Sequence, residues 1–296
     1  MKMHKLLLPL LFLFIACEKK VDFKLKESAT LLTVDASIES NDAPLVILTK
    51  SLNYFSKVSA DVIASSLVKD AEVFISNGTK THKLRRYDVT IPGANVAFSF
   101  YSSDPSSPTT IITGEFGKTY TLRIVWQGKE YTSTTTIPLL TKKIDSMWSV
   151  RPPNTPDTSK RMVVRARVTD PPGFGNYIRY FTKVNSEPFN PGLNSVFDDA
   201  LVNNSTYTVD VDKGVDRNSD IDFNNFAFFA KGDTVTVKFS NIDKATYDFW
   251  RTVEYSYQSI GNPFSSPTKI LGNISNGALG YFGGYANQFK TVIIPK

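Results

Sequence analysis

The chain has 296 residues, 41% hydrophobic and 21% charged, with a formal net charge of +6. That composition excludes a disordered, collagen-like or coiled-coil protein, and the length accommodates two domains or one large β unit. One cysteine excludes an internal disulfide and a thiolate metal cluster, and two histidines leave little material for histidine-based catalysis.

The N-terminus predicts an export leader. Lys2 and Lys5 flank the start of an apolar run from Leu6 to Ala16, interrupted only by Pro9. A membrane-spanning helix needs about 20 apolar residues, so the run is too short to span and has the length of a signal-peptide core. It ends in Phe14-Ile15-Ala16-Cys17. That ending resembles a bacterial lipobox, with Phe14 where leucine is commonest. On this reading residues 1–16 are removed, and Cys17 carries a diacylglycerol on its thiol and an acyl chain on its new amine. Each buried CH₂ is worth about 0.8 kcal/mol, so several chains hold the protein firmly to a membrane. Residues 17–28, with Lys19, Lys20, Lys24 and Lys26, then form a lipidated tether. Loss of Lys2 and Lys5 leaves a side-chain net of +4 from the full-chain +6. With no dense Lys/Arg patch, nucleic acid is not expected as a partner.

Period-two patterning starts after the tether. Leu32, Val34, Ala36 and Ile38 alternate with polar residues, and Ala71 to Ile75 forms another extended run. Asn77-Gly78 before Thr79 to Leu84 is a hairpin signal. Asp61 to Val68 predicts a short helix, and Val96, Phe98 and Phe100 alternate again. Tyr120, Leu122, Ile124 and Trp126 share one face, Gln127-Gly128 turns the chain, and Tyr131 to Ile137 returns. Short strands with regular turns over 29–138 predict an immunoglobulin-like sandwich, with Tyr120 a candidate tyrosine-corner residue.

A linker is predicted at 138–143. Residues 139–296 are then expected to form a larger β-rich domain. Ile144 to Trp148 opens it, and Met162 to Val168 is predicted to pair with Ile178 to Val184 across the turn Asp170 to Asn176. Val235, Val237 and Phe239 form a later strand after Gly232-Asp233. Asp243 is a helix-capping residue, and Tyr247, Trp250, Val253 and Tyr257 fall at helical spacing, which predicts one amphipathic helix of about four turns. Glycines beside aromatics in Gly272 to Tyr285 predict tight turns and close backbone approach, and Val292 to Ile294 a last strand. The fold class is therefore mainly β, with one amphipathic helix in its C-terminal part.

The chemistry these residues allow is narrow. His82, the one histidine outside the leader, sits in Lys80-Thr-His-Lys83 on the expected exposed side of a hairpin, with no serine–acid or histidine companion. No phosphate-binding glycine loop occurs. Asp210, Asp212, Asp216, Asn218, Asp220 and Asp222 form the densest acidic run. Asp216, Asn218, Asp220 and Asp222 alternate as calcium ligands do, without the glycine and glutamate of an EF-hand. Asp198-Asp199 is a second acidic pair, and facing carboxylates can run glycoside hydrolysis. Tyr281, Phe282 and Tyr285 could stack on a partner or a sugar, or could pack inside the fold.

Several segments carry a family resemblance: the Cys17 lipobox, Ile144-Asp-Ser-Met-Trp148, Lys231-Gly-Asp-Thr-Val235 and Ile242-Asp-Lys-Ala-Thr-Tyr-Asp-Phe-Trp250. The most specific are Asn262-Pro-Phe264 and Asn273-Ile-Ser-Asn-Gly-Ala-Leu-Gly-Tyr-Phe282. With these the chain resembles the Bacteroidota lipoproteins grouped as domain of unknown function 4249. The resemblance implies an outer-membrane lipoprotein encoded beside a TonB-dependent transporter, hence an accessory or nutrient-capture role with that transporter as partner. It supplies no catalytic residue and no cofactor beyond the lipid at Cys17. A carboxylate-based glycan hydrolase and a structural or adhesive envelope protein are the competing expectations.

Overall fold

The computed structural model describes residues 30–52, 59–90, 97–156, 158–217, 219–262, 264–266 and 268–296. The leader, Cys17, the tether, Val96, Asn218 and Pro263 lie outside the described residues.

The first half contains β1 (Leu32–Glu39), β2 (Leu45–Lys50), α1 (Ala60–Ser66), β3 (Glu72–Ser76), β4 (Thr81–Lys83), β5 (Arg85–Thr90), β6 (Ala97–Ser102), β7 (Thr119–Trp126) and β8 (Lys129–Thr136). The second contains β9 (Lys143–Val150), β10 (Arg161–Thr169), β11 (Tyr177–Val184), β12 (Asn190–Phe197), β13 (Thr206–Val211), β14 (Phe229–Ala230), β15 (Thr234–Ile242), α2 (Lys244–Gln258) and β16 (Leu279–Ile293). The protein is mainly β, as its alternating apolar residues require.

One eight-stranded sheet, in the order β12-β11-β15-β16-β1-β2-β6-β5, forms the backing of the molecule. Two four-stranded sheets cover it: β4-β3-β7-β8 in the N-terminal half, and β13-β10-β14 with β9 beside β10 in the C-terminal half. The N-terminal core packs Val34, Ala36 and Ile38 against Val73, Ile75, Leu122 and Ile124. The C-terminal core packs Val164, Ala166 and Val168 against Ile178, Val235 and Val237. Both layers follow from period-two burial on facing strands.

Local chemistry sets the turns. Gln127 and Gly128 both take the left-handed conformation (φ 50° and 72°), the type I′ geometry that matches strand twist between β7 and β8. Asn77-Gly78 closes β3 onto β4. Tyr120 is fully buried; its hydroxyl accepts from the Glu115 amide (2.8 Å) and donates to the Thr113 carbonyl (3.2 Å), the upstream backbone contact of a tyrosine corner.

Four expectations need correction. First, β10 and β11 do not pair: β10 bonds to β9, β13 and β14, and β11 to β12 and β15. The turn at 170–176 carries the chain from one sheet to the other. There Asp199 accepts from the amides of Gly175 and Asn176, both at 3.1 Å. Second, the glycine-rich stretch is not a set of turns from 279 onward but the start of β16, a strand of 15 residues.

Third, β16 belongs to both halves. It runs parallel to β1 and antiparallel to β15, and its Phe282 and Ala286 complete the N-terminal core. The segment at 138–143 is also held. Asn241 accepts from the Lys142 amide (3.0 Å) and donates to its carbonyl (2.8 Å), while the Lys142 side chain is buried against Asp170 at 2.9 Å.

Fourth, His82 is not on an exposed face but fully buried. Its Nε2 accepts from the Asp104 amide at 2.8 Å, so the hydrogen lies on Nδ1, which donates to Thr110 Oγ1 at 2.8 Å. Both ring nitrogens are occupied by the neutral form. Burial pushes the imidazole below its usual pKa, with Asp104 pulling weakly the other way. A depressed folded value means the unfolded chain binds the extra proton more readily. The contribution of His82 is therefore complete above its unfolded pKa of about 6.5 and is lost as pH falls from there through the depressed folded value. Urea melts between about pH 7.5 and 5 should lose stability faster for the native chain than for His82→Gln. Parallel slopes would refute this assignment.

Candidate functional site

The helix α2 lies on the face of the large sheet away from the C-terminal core. Asp243 caps it, its Oδ1 accepting from the Thr246 amide at 2.8 Å. The other oxygen accepts from Thr135 Oγ1 (2.7 Å) and the Thr136 amide (3.0 Å), so the same residue fastens the helix to β8. Two adjacent glycines of β16 allow this crowding. A Cβ on Gly283 would lie 2.9 Å from Thr246 Oγ1, and one on Gly284 would lie 2.6 Å from the Thr136 carbonyl oxygen. The expected apolar stripe of α2 is partly buried at Tyr247, Trp250 and Val253, and the buried positions of the helix are Thr246, Phe249, Thr252 and Glu254.

Under α2 a polar chain links the strands. Glu254 accepts from Ser195 Oγ (2.5 Å), the Ser195 amide (3.0 Å) and Arg217 Nη2 (2.9 Å). Arg179 donates through Nε to Ser195 Oγ (3.1 Å) and through Nη1 to the Tyr285 hydroxyl (3.4 Å), and its guanidinium stacks 3.4 Å from the Trp250 ring centroid. Trp250 also donates to the Tyr285 hydroxyl at 3.0 Å. Burial raises the Tyr281 and Tyr285 phenols, so both stay neutral hydrogen-bonding groups. Glu254 accepts three hydrogen bonds and Ser195 is fully buried, so this chain binds the helix to the sheet.

This geometry corrects the expectation for Tyr281, Phe282 and Tyr285 as a contact surface: all three are buried. Alternation along β16 sends Phe282 into the N-terminal core and Tyr281 and Tyr285 under α2, where Tyr281 stacks on Phe249 with centroids 4.3 Å apart. Of the acidic run, Asp216, Asp220 and Asp222 line a pocket together with Asn225. Among the described residues, no three carboxylate, histidine or cysteine groups gather as metal ligands. Asp222 is occupied locally by the Asn224 amide (3.0 Å) and Asn225 Nδ2 (2.6 Å). Burial works against the Asp199 carboxylate, but its bonds from Asn176 and Gly175 outweigh that and hold its pKa below the usual value.

A concave feature lies between the C-terminal sheets. It is a cavity of about 460 Å³ walled by Ile144, Val168, Ile178, Val237 and Phe239. Its mouth runs between β12 and β13, the edge strands of their two sheets. Val209 shares a face with the buried Ala166 opposite it, yet is 39% exposed; Phe197 is 48% exposed and Leu201, on the rim, 98%. The sandwich is therefore open along this edge. Tyr180, Tyr207, Asp198 and Asp212 also line the cavity, as does Asp210, whose register opposite Arg165 turns its side chain to the outer face. Asp198 accepts from the Tyr247 hydroxyl (3.0 Å); burial and this contact push the Tyr247 phenol up to about 12. Asp210 pairs with Arg165 Nε at 2.8 Å.

The cavity was not legible beforehand because its walls come from β9, β10, β11, β13 and β15, far apart in the chain. The available signal was Leu201, a large apolar residue in a loop between Asp198-Asp199 and Asn203-Asn204.

Fold and site together define a mainly β protein of layered sheets with an apolar cavity open at a sandwich edge. Residues 18–291 match the family described as Domain of unknown function (DUF4249), and the chain belongs to that family. No curated protein matches the chain.

Proposed function

We propose that the protein is a lipid-anchored outer-membrane binding subunit that works with a TonB-dependent transporter in nutrient capture. The observation that carries the binding reading is the open apolar cavity of about 460 Å³, within the range of small-molecule sites. Anchoring rests on Cys17 at the end of an export-type leader, and among the described residues no helix is long and apolar enough to cross a membrane. An anchored body meets an anchored or embedded partner at high effective concentration, so a modest contact suffices. The Bacteroidota outer membrane as location, and the transporter as partner, rest on the family resemblance.

Two measurements test this. Cys17→Ala should move the protein from the membrane to the soluble fraction. Crosslinking in intact cells should recover a β-barrel transporter with the native protein. Full membrane retention of Cys17→Ala would remove the anchor. Recovery of the protein alone, with turnover of a glycan by the purified chain, would replace the capture role by the carboxylate-hydrolase alternative.

A further inference from the structure

We infer that the C-terminal cavity takes a ligand with an apolar body and a protonated amine, the amine seated on Asp212 beside the Tyr180 hydroxyl. This rests on the binding reading above and names the chemical class of its ligand.

The ionisable residues that line the cavity are all acidic. Its lining holds Asp198, Asp210 and Asp212 and no lysine, arginine or histidine, in a chain whose overall charge is positive. Two of these acids are already engaged, Asp198 with Tyr247 and Asp210 with Arg165. Among the described residues Asp212 has no hydrogen-bonding partner, and neither has the Tyr180 hydroxyl.

Tyr180 frames the same wall. It is 9% exposed and lines the cavity, with its hydroxyl held over Gly192, where a Cβ would lie only 2.1 Å away. A desolvated carboxylate that accepts no hydrogen bond from the chain favours a donor supplied from outside it. Desolvation, with Asp210 nearby, raises the Asp212 carboxyl, and desolvation and then Asp212 raise the Tyr180 phenol. An ammonium offsets the penalty on Asp212 and donates to both oxygens. A carboxylate or phosphate ligand would instead bring a second negative charge up to Asp212. The walls fix the other end of the ligand: aliphatic and aromatic side chains reward a flat or branched apolar body.

The test is calorimetry on the mature full chain with three probes that share one ring system: tryptamine, the uncharged 3-ethylindole, and indole-3-propionate. Tryptamine should bind about tenfold tighter than 3-ethylindole, the effect of one charge-assisted hydrogen bond, and the anion should bind weakest. Asp212→Asn should abolish the preference for the amine while 3-ethylindole binds as before. Val209→Trp, at the half-open mouth, should weaken all three probes and supplies a second handle should Asp212→Asn fold poorly. Equal affinities for the three, or an amine preference that survives Asp212→Asn, would overturn the amine inference and leave the cavity as a binding site. Binding of none of them would overturn both.

Discussion

Replacing Lys142 with methionine should lower the unfolding free energy by about 3–5 kcal/mol, the usual cost of breaking a buried ion pair from one side. Lys142 and Asp170 lie 2.9 Å apart with side chains 1% and 0% exposed. The other Asp170 oxygen accepts from the Asn204 amide at 3.2 Å. Loss of the ammonium leaves a carboxylate in the interior with one long hydrogen bond to balance it. The double replacement Lys142→Met with Asp170→Leu should recover most of the loss, because two charges taken out of water together contribute little net stability. Denaturant titration of the two single variants and the double variant measures the coupling. A single-variant cost below about 1 kcal/mol would mean that the Asp170 charge is neutralised elsewhere. The backbone of Lys142 is held separately by Asn241, so the ion pair and these two bonds together fix the joint where β8 gives way to β9.

Phe282→Ala should cost about 3–5 kcal/mol, and the damage should appear in the half of the molecule from which the residue is remote in sequence. Phe282 is fully buried and packs in the N-terminal core with Val34, Leu122 and Ile124. Truncation removes its apolar transfer energy and leaves a cavity between sheets that cannot easily collapse. Amide exchange should accelerate first in β1, β3 and β7, with β10 and β13 less affected. Exchange that accelerates only in β9 to β15 would show that β16 serves the C-terminal sheets alone. Tyr285→Phe is the contrasting change: the ring remains under α2, and only the contacts of its hydroxyl to Arg179, Trp250 and Tyr281 are lost.

The residues themselves determine the local elements. Alternating Leu32, Val34, Ala36 and Ile38 can bury only one face of a strand, so β1 was readable, as were β7, β10 and β15. Gln127-Gly128 and Asn77-Gly78 name their hairpins because few residues tolerate positive φ. Asp243 names the start of α2 because its carboxylate can satisfy a free helix amide. The tyrosine corner at Tyr120 and the mainly β class follow from the same short-range rules.

What the tertiary structure alone decides is which strand meets which. Period two places Phe282 and Tyr281 on opposite faces of β16, but both faces are buried there, and only the pairing with β1 and β15 assigns them to different cores. The histidine of a hairpin reads as exposed until Thr110 and the Asp104 amide are brought to its two nitrogens by a loop some 20 residues on in the chain. The buried Lys142–Asp170 pair and the chain from Arg217 through Glu254 to Arg179 are likewise invisible in sequence, since charged side chains are interior only when a distant partner meets them. The cavity is the extreme case. It is a space left between two sheets whose edge strands, β12 and β13, do not meet, and an unfilled gap has no residue of its own to announce it.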